Sequence, residues 1–267
     1  MNAMRAWRGG AAIAVLACAL AWEGEAWAGR TCEVRPLDVA TVRESMALAE
    51  RTAKRLDQTG AQVVILARAG QDLGRYGVRW SHMAFAYRDA KGEPWRVVHK
   101  LNTCGSAASS LYRQGLGEFF LDRMYRYESG IVVLSPEAQR NLLPILQDNG
   151  RVARWHVEPY NMVAYPWSLR YQQSNQWVLE TLAGAMEPGA ATRRQAQAWL
   201  QLQDYRPATL RLGAFTRLGA RIGSANVAFD DHPNEKRYSD RIETVTVDSA
   251  FDWLYRSKIG GPLIRVG

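Results

Sequence analysis

Two histidines, His82 and His99, lie in neighbouring apolar runs of the chain, at residues 78–87 and 95–101. The segment between these runs, 88–94, carries a glycine, a proline and four charged residues, which is the composition of a turn. Two short strands joined by a turn form a β-hairpin, so we expect the two imidazoles to face each other across adjacent strands. A neutral imidazole accepts a proton at physiological pH, and a second polar group can fix its tautomer. The pair therefore predicts half of a nucleophilic site.

Two cysteines, Cys32 and Cys104, would remain after removal of an N-terminal segment that contains Cys18. In an oxidising compartment two cysteines pair, so we predict a Cys32–Cys104 disulfide that pins the start of the mature chain. The alternative makes Cys104 a rival nucleophile, because it follows His99 by five residues. If the disulfide can be reduced, the Cys104 thiolate would lie beside the imidazole of His99.

Two other segments contain residues that could bind a metal ion or a phosphate, but their patterns are weaker evidence. Residues 230–232, Asp-Asp-His, could place two carboxylates and an imidazole near a cation. Consecutive residues rarely converge on one metal, and the proline that follows indicates a solvated or capping loop, so we expect no metal site. The glycine-rich stretch 213–223 lacks phosphate-loop spacing and a Lys-Ser/Thr pair. No cofactor is expected.

The first 28 residues have the pattern of a secretory signal peptide. Two arginines precede an apolar run at 11–21, which is too short to span a membrane, and Ala26-Trp27-Ala28 provides small residues for cleavage. We expect a periplasmic or secreted protein with one domain over residues 29–267. The alternative is a lipoprotein acylated at Cys18, but Leu16 is bulky for its place in such a signal. No later segment is long and apolar enough for a transmembrane helix.

The net charge is +8. A basic protein inside a cell often binds nucleic acid, but the predicted export argues against that partner. The anionic groups of the envelope are glycans, lipid headgroups and acidic peptides, and any of these is a candidate partner. The alternative is that the charge serves only solubility.

Hydrophobic periodicity predicts alternating short strands and amphipathic helices. Helix signals include Ser135 as N-cap with Pro136 in the first turn, and Gly60 as a stop. No linker divides the chain, so we predict one α+β domain. The expected helices are 37–58, 135–147, 174–184, 193–203 and one from 248; the expected strands, besides the two histidine runs, are 63–67, 130–134 and 241–247, while 109–122 is expected to be loop with a short helix.

The histidine hairpin resembles that of NlpC-type cell-wall peptidases. The resemblance is carried by Ser-His-Met-Ala-Phe-Ala-Tyr at 81–87, a glycine-containing turn, and Val-Val-His at 97–99. In that papain-like superfamily the first histidine is the catalytic base, and a polar residue on the next strand, often another histidine, orients it. The resemblance implies these roles for His82 and His99.

The resemblance also suggests a nucleophile. The usual catalytic cysteine lies on a helix before the hairpin, but the predicted helix 37–58 contains none. Circularly permuted members place that helix after the hairpin, in a Cys-polar-polar-aromatic-Val pattern, and the match here is Ser-Asn-Gln-Trp-Val at 174–178. Ser174 thus takes the nucleophile position, where a helix N-terminus favours an oxyanion. The alternatives are that Ser174 is an ordinary N-cap of a degenerate site, or that the alignment is wrong.

Longer stretches, 99–105, 111–122 and 228–233, resemble an exported bacterial family catalogued as domain of unknown function 2145. That resemblance covers nearly the whole mature chain and implies no assigned activity. The expected fold is α+β, a permuted papain-like core with an antiparallel sheet, packed helices and an elaborated C-terminal part.

Three functional hypotheses follow from the sequence. The first is a hydrolase or acyltransferase that acts on an envelope peptide, glycopeptide or lipid, with Ser174 attacking an amide or ester, His82 as base and His99 as orienting residue. The second is a non-catalytic envelope binding protein on a degenerate papain-like scaffold. The third is a structural partner in the envelope without pocket chemistry.

Overall fold

The computed structural model describes residues 36–267. The predicted signal peptide, Cys18 and Cys32 lie outside this range, so export, cleavage and the Cys32–Cys104 disulfide stay predictions. Within the described range, no helix has both the length and the apolarity that a bilayer crossing requires.

The centre of the molecule is a six-stranded antiparallel sheet with the strand order β4-β3-β2-β1-β5-β8. β1 is almost entirely buried, which fits its uninterrupted apolar sequence and its place inside the sheet. A second sheet pairs β6 with β7. The strands are β1 Val63–Ala69, β2 His82–Tyr87, β3 Arg96–Asn102, β4 Ser109–Gly115, β5 Arg126–Val133, β6 Ala208–Arg211, β7 Arg241–Thr244 and β8 Ile264–Val266.

Helices cover both faces of the large sheet. The face that carries Met83 and Phe85 packs against α3, α5, α6 and α9 in the larger hydrophobic core. The face that carries Ala84 and Ala86 packs against α1 and α2 in a second core. The helices are α1 Val39–Thr59, α2 Leu116–Phe120, α3 Pro136–Leu146, α4 Asn149–Val152, α5 Ser174–Met186, α6 Arg193–Leu202, α7 Ala214–Gly223, α8 Asn234–Tyr238 and α9 Val247–Arg256.

Local signals placed several helix ends correctly. The Ser135 side chain accepts a hydrogen bond from the Ala138 amide, and Pro136 occupies the first turn of α3. Gly60 ends α1 with a φ of 70°, a left-handed conformation that glycine adopts without steric cost. The predicted α+β class, with an antiparallel sheet and packed helices, is confirmed.

One segment differs from the sequence-based expectation, and the structure of another was not predicted. Residues 109–115 were expected to be loop, but they form β4, an edge strand with a mostly polar sequence held by its pairing with β3. The glycine-rich stretch 213–223 forms α7, because its glycines are isolated among helix-compatible residues. Together with β6 and β7, α7 surrounds a third, small apolar cluster centred on Leu212, Val227, Phe229 and Ile242.

Candidate functional site

A chain of hydrogen bonds runs across two strands and ends at His82. His82 Nε2 lies 2.9 Å from His99 Nδ1, and His99 Nε2 lies 2.8 Å from Gln114 Oε1. The Gln114 amide nitrogen donates to Glu118 at 2.9 Å, which orients its oxygen toward the ring. His99 therefore carries its proton on Nε2, accepts on Nδ1, and receives the Nε2 proton of His82. Nδ1 of His82 is left as the proton-accepting nitrogen.

The two rings meet where their strands separate. The β2–β3 ladder includes only the pairs from Phe85↔Val98 to Tyr87↔Arg96, although both strands continue past it. His82 and His99 lie beyond the ladder and bridge the gap, with ring centroids 5.2 Å apart. Phe119 packs against both rings. The pair therefore lies on the sheet face that α1 and α2 cover.

Burial sets the protonation of both histidines. Desolvation, followed by the positive charges of His99 and Arg68, lowers the pKa of His82 well below its usual value. Desolvation also lowers the pKa of His99 to about 4, against the opposing effect of its hydrogen bond to Gln114. Both rings are neutral at physiological pH, so His82 is able to accept a proton.

Ser174 is the first residue of α5, and Gln173 is the N-cap, its side chain accepting from the Asn175 amide. The alternative that Ser174 is merely an N-cap is therefore wrong, since Gln173 fills that place. The Asn175 carboxamide oxygen accepts a hydrogen bond from the Met83 amide at 3.0 Å, at the point where β2 and β3 separate. This contact docks the N-terminus of α5 beside the first residues of β2.

Ser174 and His82 line one cavity of about 830 Å³. No hydrogen bond joins the Ser174 hydroxyl to either histidine within residues 36–267. Tyr160 lines the same cavity, and burial raises the pKa of its phenol against the opposing effect of the neighbouring Ser174, so the phenol keeps its proton. Ser174 and His82 therefore both contribute to the lining of one cavity, without a direct hydrogen bond between them.

Three residues of this arrangement were not predicted from the sequence. Gln114 and Glu118 fall in the segment that was expected to be loop with a short helix, and Tyr160 comes just before an irregular aromatic stretch. No periodic pattern marks any of the three. Their roles depend on tertiary contacts. Gln114, for example, contacts His99, which is 15 positions away in the chain.

The other candidate residues lie elsewhere. Cys104 is in the exposed turn between β3 and β4 and does not line the cavity. Asp231 and His232 are buried rather than solvated: His232 contacts Asp231 Oδ1 at 3.0 Å and donates to the Glu243 carbonyl at 2.8 Å. Across the described part of the chain, no group of three or more histidine, cysteine or carboxylate side chains is arranged to hold a metal ion.

A family model described as "uncharacterized protein conserved in bacteria", domain of unknown function 2145, matches residues 55–254. The match includes the histidine pair, Gln114, Tyr160 and Ser174. No curated protein and no solved structure matches the chain.

Proposed function

The chain belongs to this bacterial family, and we propose that it is a papain-like acyl-transfer enzyme, a hydrolase or acyltransferase acting on a peptide, glycopeptide or lipid of the cell envelope. The single observation that supports this proposal most is the polarised chain from Glu118 to His82, which ends at the cavity that Ser174 lines. His232, which does not line the cavity, has partners for both ring nitrogens, whereas Nδ1 of His82 has no bonded partner within residues 36–267.

The proposed reaction begins when Ser174 Oγ attacks an acyl carbonyl in the cavity. His82 Nδ1 takes the hydroxyl proton, and His99 stabilises the resulting imidazolium by accepting from Nε2. His82 then gives the proton to the leaving amine or alcohol. Water, or a second alcohol or amine, releases the acyl group from the serine by the reverse proton transfers.

Tyr160 supplies the oxyanion contact in this mechanism. Its protonated phenol lies near Ser174, and the N-terminus of α5 is where a substrate oxyanion would be stabilised. A substrate carbonyl oxygen held there would receive a hydrogen bond from the phenol while the Ser174 hydroxyl turns toward His82.

A non-catalytic binding protein is the second candidate, and one observation favours it. No hydrogen bond within residues 36–267 joins the Ser174 hydroxyl to His82, and serine stands where the papain-like sites that the hairpin resembles have cysteine. A serine hydroxyl depends wholly on its base for activation, whereas a thiol is already a few per cent ionised at neutral pH.

Labelling with a fluorophosphonate, read out by intact mass and peptide mapping, separates the two candidates. We expect one adduct at Ser174 in the wild-type protein, no adduct in Ser174→Ala, and at least 100-fold slower labelling in His82→Gln. Ser110→Ala is the matched control, because Ser110 is an exposed serine on β4. A folded wild-type protein that stays unlabelled would leave the binding protein as the function.

The Ser174→Cys variant tests the site independently of serine chemistry. We expect its thiol to react with iodoacetamide faster than a thiol introduced at Ser110, because the helix N-terminus and His82 favour the thiolate. Equal rates at the two positions would contradict the proposed site.

Export to the periplasm or beyond is part of the proposal and rests on the predicted signal peptide. We expect the mature protein recovered from the envelope fraction to begin at Gly29. An intact N-terminus in the cytoplasmic fraction would remove envelope peptides, glycans and lipids as substrates.

A further inference from the structure

We propose that the cavity beside Ser174 binds an unbranched acyl chain, with the carbonyl end at Ser174 and the chain extending beneath α7. The position of the carbonyl end rests on the proposed function; the binding of the chain does not. The proposal narrows the substrate to an acyl ester, thioester or amide with a long apolar tail.

The lining of the cavity is mostly apolar. Polar groups come from His82, Ser174 and Tyr160, and also from Asp72 and Arg75. The apolar side chains come from separate elements: Val78, Trp80, Met124, Met162, Leu212 and Phe229. Because an apolar wall offers no partners for peptide groups or sugar hydroxyls, burying such groups there would be costly. An alkyl chain has none to satisfy.

Helix α7 leaves room for a ligand. Thr216, Gly219 and Ala220 share one face at helical spacing and line the cavity. A Cβ added at Gly219 would meet nothing within 4 Å. The volume of about 830 Å³ lies within the usual range of small-molecule pockets. Because Thr216 and Gly219 are exposed while Ala220 packs against the third apolar cluster, α7 forms the rim of the cavity, and its small side chains leave that rim open.

The outer face of α7 suggests where the chain comes from. Phe215 is 92% exposed and Leu218 is 57% exposed. The segment 206–223 carries four arginines and no acidic residue. Exposed apolar side chains flanked by basic residues favour contact with an anionic lipid surface. This places the mouth of the cavity next to a source of acyl chains.

Fluorescence of cis-parinaric acid in the full chain measures the proposed binding directly. Ser174→Ala serves as the protein, so that turnover does not enter. Saturated fatty acids of increasing length should displace the probe, with affinity rising about fourfold for each added methylene until the cavity is filled. Displacement that does not depend on chain length would overturn the proposal.

Two matched variants locate the chain. Ala220→Phe adds a ring on the cavity side of α7, and Leu218→Phe adds a ring on its outer face. We expect Ala220→Phe to weaken binding of the longest chains at least tenfold, while Leu218→Phe leaves it within twofold. Val163→Phe, on a different wall, should repeat the loss if Ala220→Phe does not fold. Unchanged binding in a folded cavity-side variant would contradict this location.

A separate arm of the experiment tests whether the acyl chain comes from a lipid surface. Monoacyl phospholipid in anionic vesicles should bind as the free fatty acid does, and Phe215→Ser should weaken only the vesicle arm. Binding of chains by a protein that fluorophosphonate does not label would keep this inference and reject catalysis. Fluorophosphonate labelling of a protein that binds no acyl chain would support catalysis and reject this inference.

Discussion

His99 and Lys100 are neighbours on β3, yet their side chains point to opposite faces of the sheet and serve different networks. His99 links His82 to Gln114 on the α1 face. The Lys100 ammonium donates to the Val157 carbonyl at 2.8 Å and to the Gln172 side chain at 2.7 Å, on the α5 face. One strand thus carries two buried polar systems in consecutive residues.

The Lys100 network is closed except at Gln176, which donates to Glu180 and whose own Oε1 is buried without a partner among the described residues. Gln172 also donates to the Trp155 carbonyl and to Glu180. Glu180 in turn receives two hydrogen bonds from Arg193 and one from Gln197. These bonds fasten the irregular segment around residues 155–172 to β3 and α5. We regard this network as structural, because it leaves no group that faces a ligand.

The histidine network is open at one end. Glu118 orients Gln114, Gln114 fixes His99, and His99 fixes His82, but Nδ1 of His82 has no bonded partner within the described range. The comparison teaches that burial and polarity alone do not mark a functional site. An acceptor without a bonded partner beside a cavity does: His82 lines the cavity, whereas Gln176, the unpartnered member of the Lys100 network, does not.

The largest expected effect concerns the closed network. Glu180→Ala should lower the free energy of unfolding by about 3–5 kcal/mol, because it leaves the Arg193 guanidinium buried without its carboxylate. Urea titration measures the change. Glu50→Ala, which removes a carboxylate from an exposed ion pair with Lys54, should change the free energy of unfolding far less, because solvent screens that pair. Similar losses for both variants would mean that the Arg193–Glu180 pair does not stabilise the fold.

The two networks should make the free energy of unfolding depend on pH in two different pH ranges. The folded pKa of His99 is lowered to about 4, so stability falls as the pH drops from about 6.5 to 4, by about 2–3 kcal/mol for this residue. Burial lowers the pKa of Lys100 to about 7, so its contribution to stability grows as the pH rises from about 7 toward 10. In both cases the unfolded chain binds more protons within the window.

Substitutions test which residue causes the pH dependence in each range. The free energy of unfolding, measured from pH 4 to pH 10, should lose part of its acid slope in His82→Gln/His99→Gln and its alkaline slope in Lys100→Met. The rest of the acid slope comes from His156, because burial also lowers the pKa of that residue to about 4. Each variant should keep the other slope. An acid slope that persists unchanged in the double variant would show that the histidines are not buried in neutral form.

Tyr160→Phe should sharpen the distinction between catalysis and binding. If the phenol donates to the oxyanion, its loss should slow fluorophosphonate labelling of Ser174 about 100-fold, with little change in unfolding. Tyr76→Phe is a suitable control, since Tyr76 lines the same cavity without contacting Ser174. Faster labelling in Tyr160→Phe would instead identify Tyr160 as a group that blocks the serine.

The smallest effect is expected at the far end of the open network. Gln114→Ala removes the acceptor that fixes the His99 tautomer, and should slow labelling about tenfold, the equivalent of about one hydrogen bond. Gln114→Glu should restore part of the rate, because a carboxylate also accepts from His99. A rate in Gln114→Ala equal to the wild-type rate would remove Gln114 from the mechanism.

The sequence by itself was sufficient to predict most of the local helices and strands. Apolar alternation and turn chemistry located the histidine hairpin, and the Ser135-Pro136 pair located the start of α3, because both depend on neighbours in the chain. It wrongly indicated a loop at β4 and gave no prediction for α7. An edge strand held by backbone pairing and an amphipathic helix containing glycines leave weak signals.

Only the tertiary structure decided how the candidate site is assembled. It separated β2 from β3 beyond Phe85, placed the N-terminus of α5 at that gap, and brought Tyr160 to Ser174 and Gln114 to His99. These contacts join residues that are far apart in the chain, and their energies depend on burial and geometry that no local pattern encodes. The identities of the histidines came from the sequence, while the direction of their proton chain came from the fold.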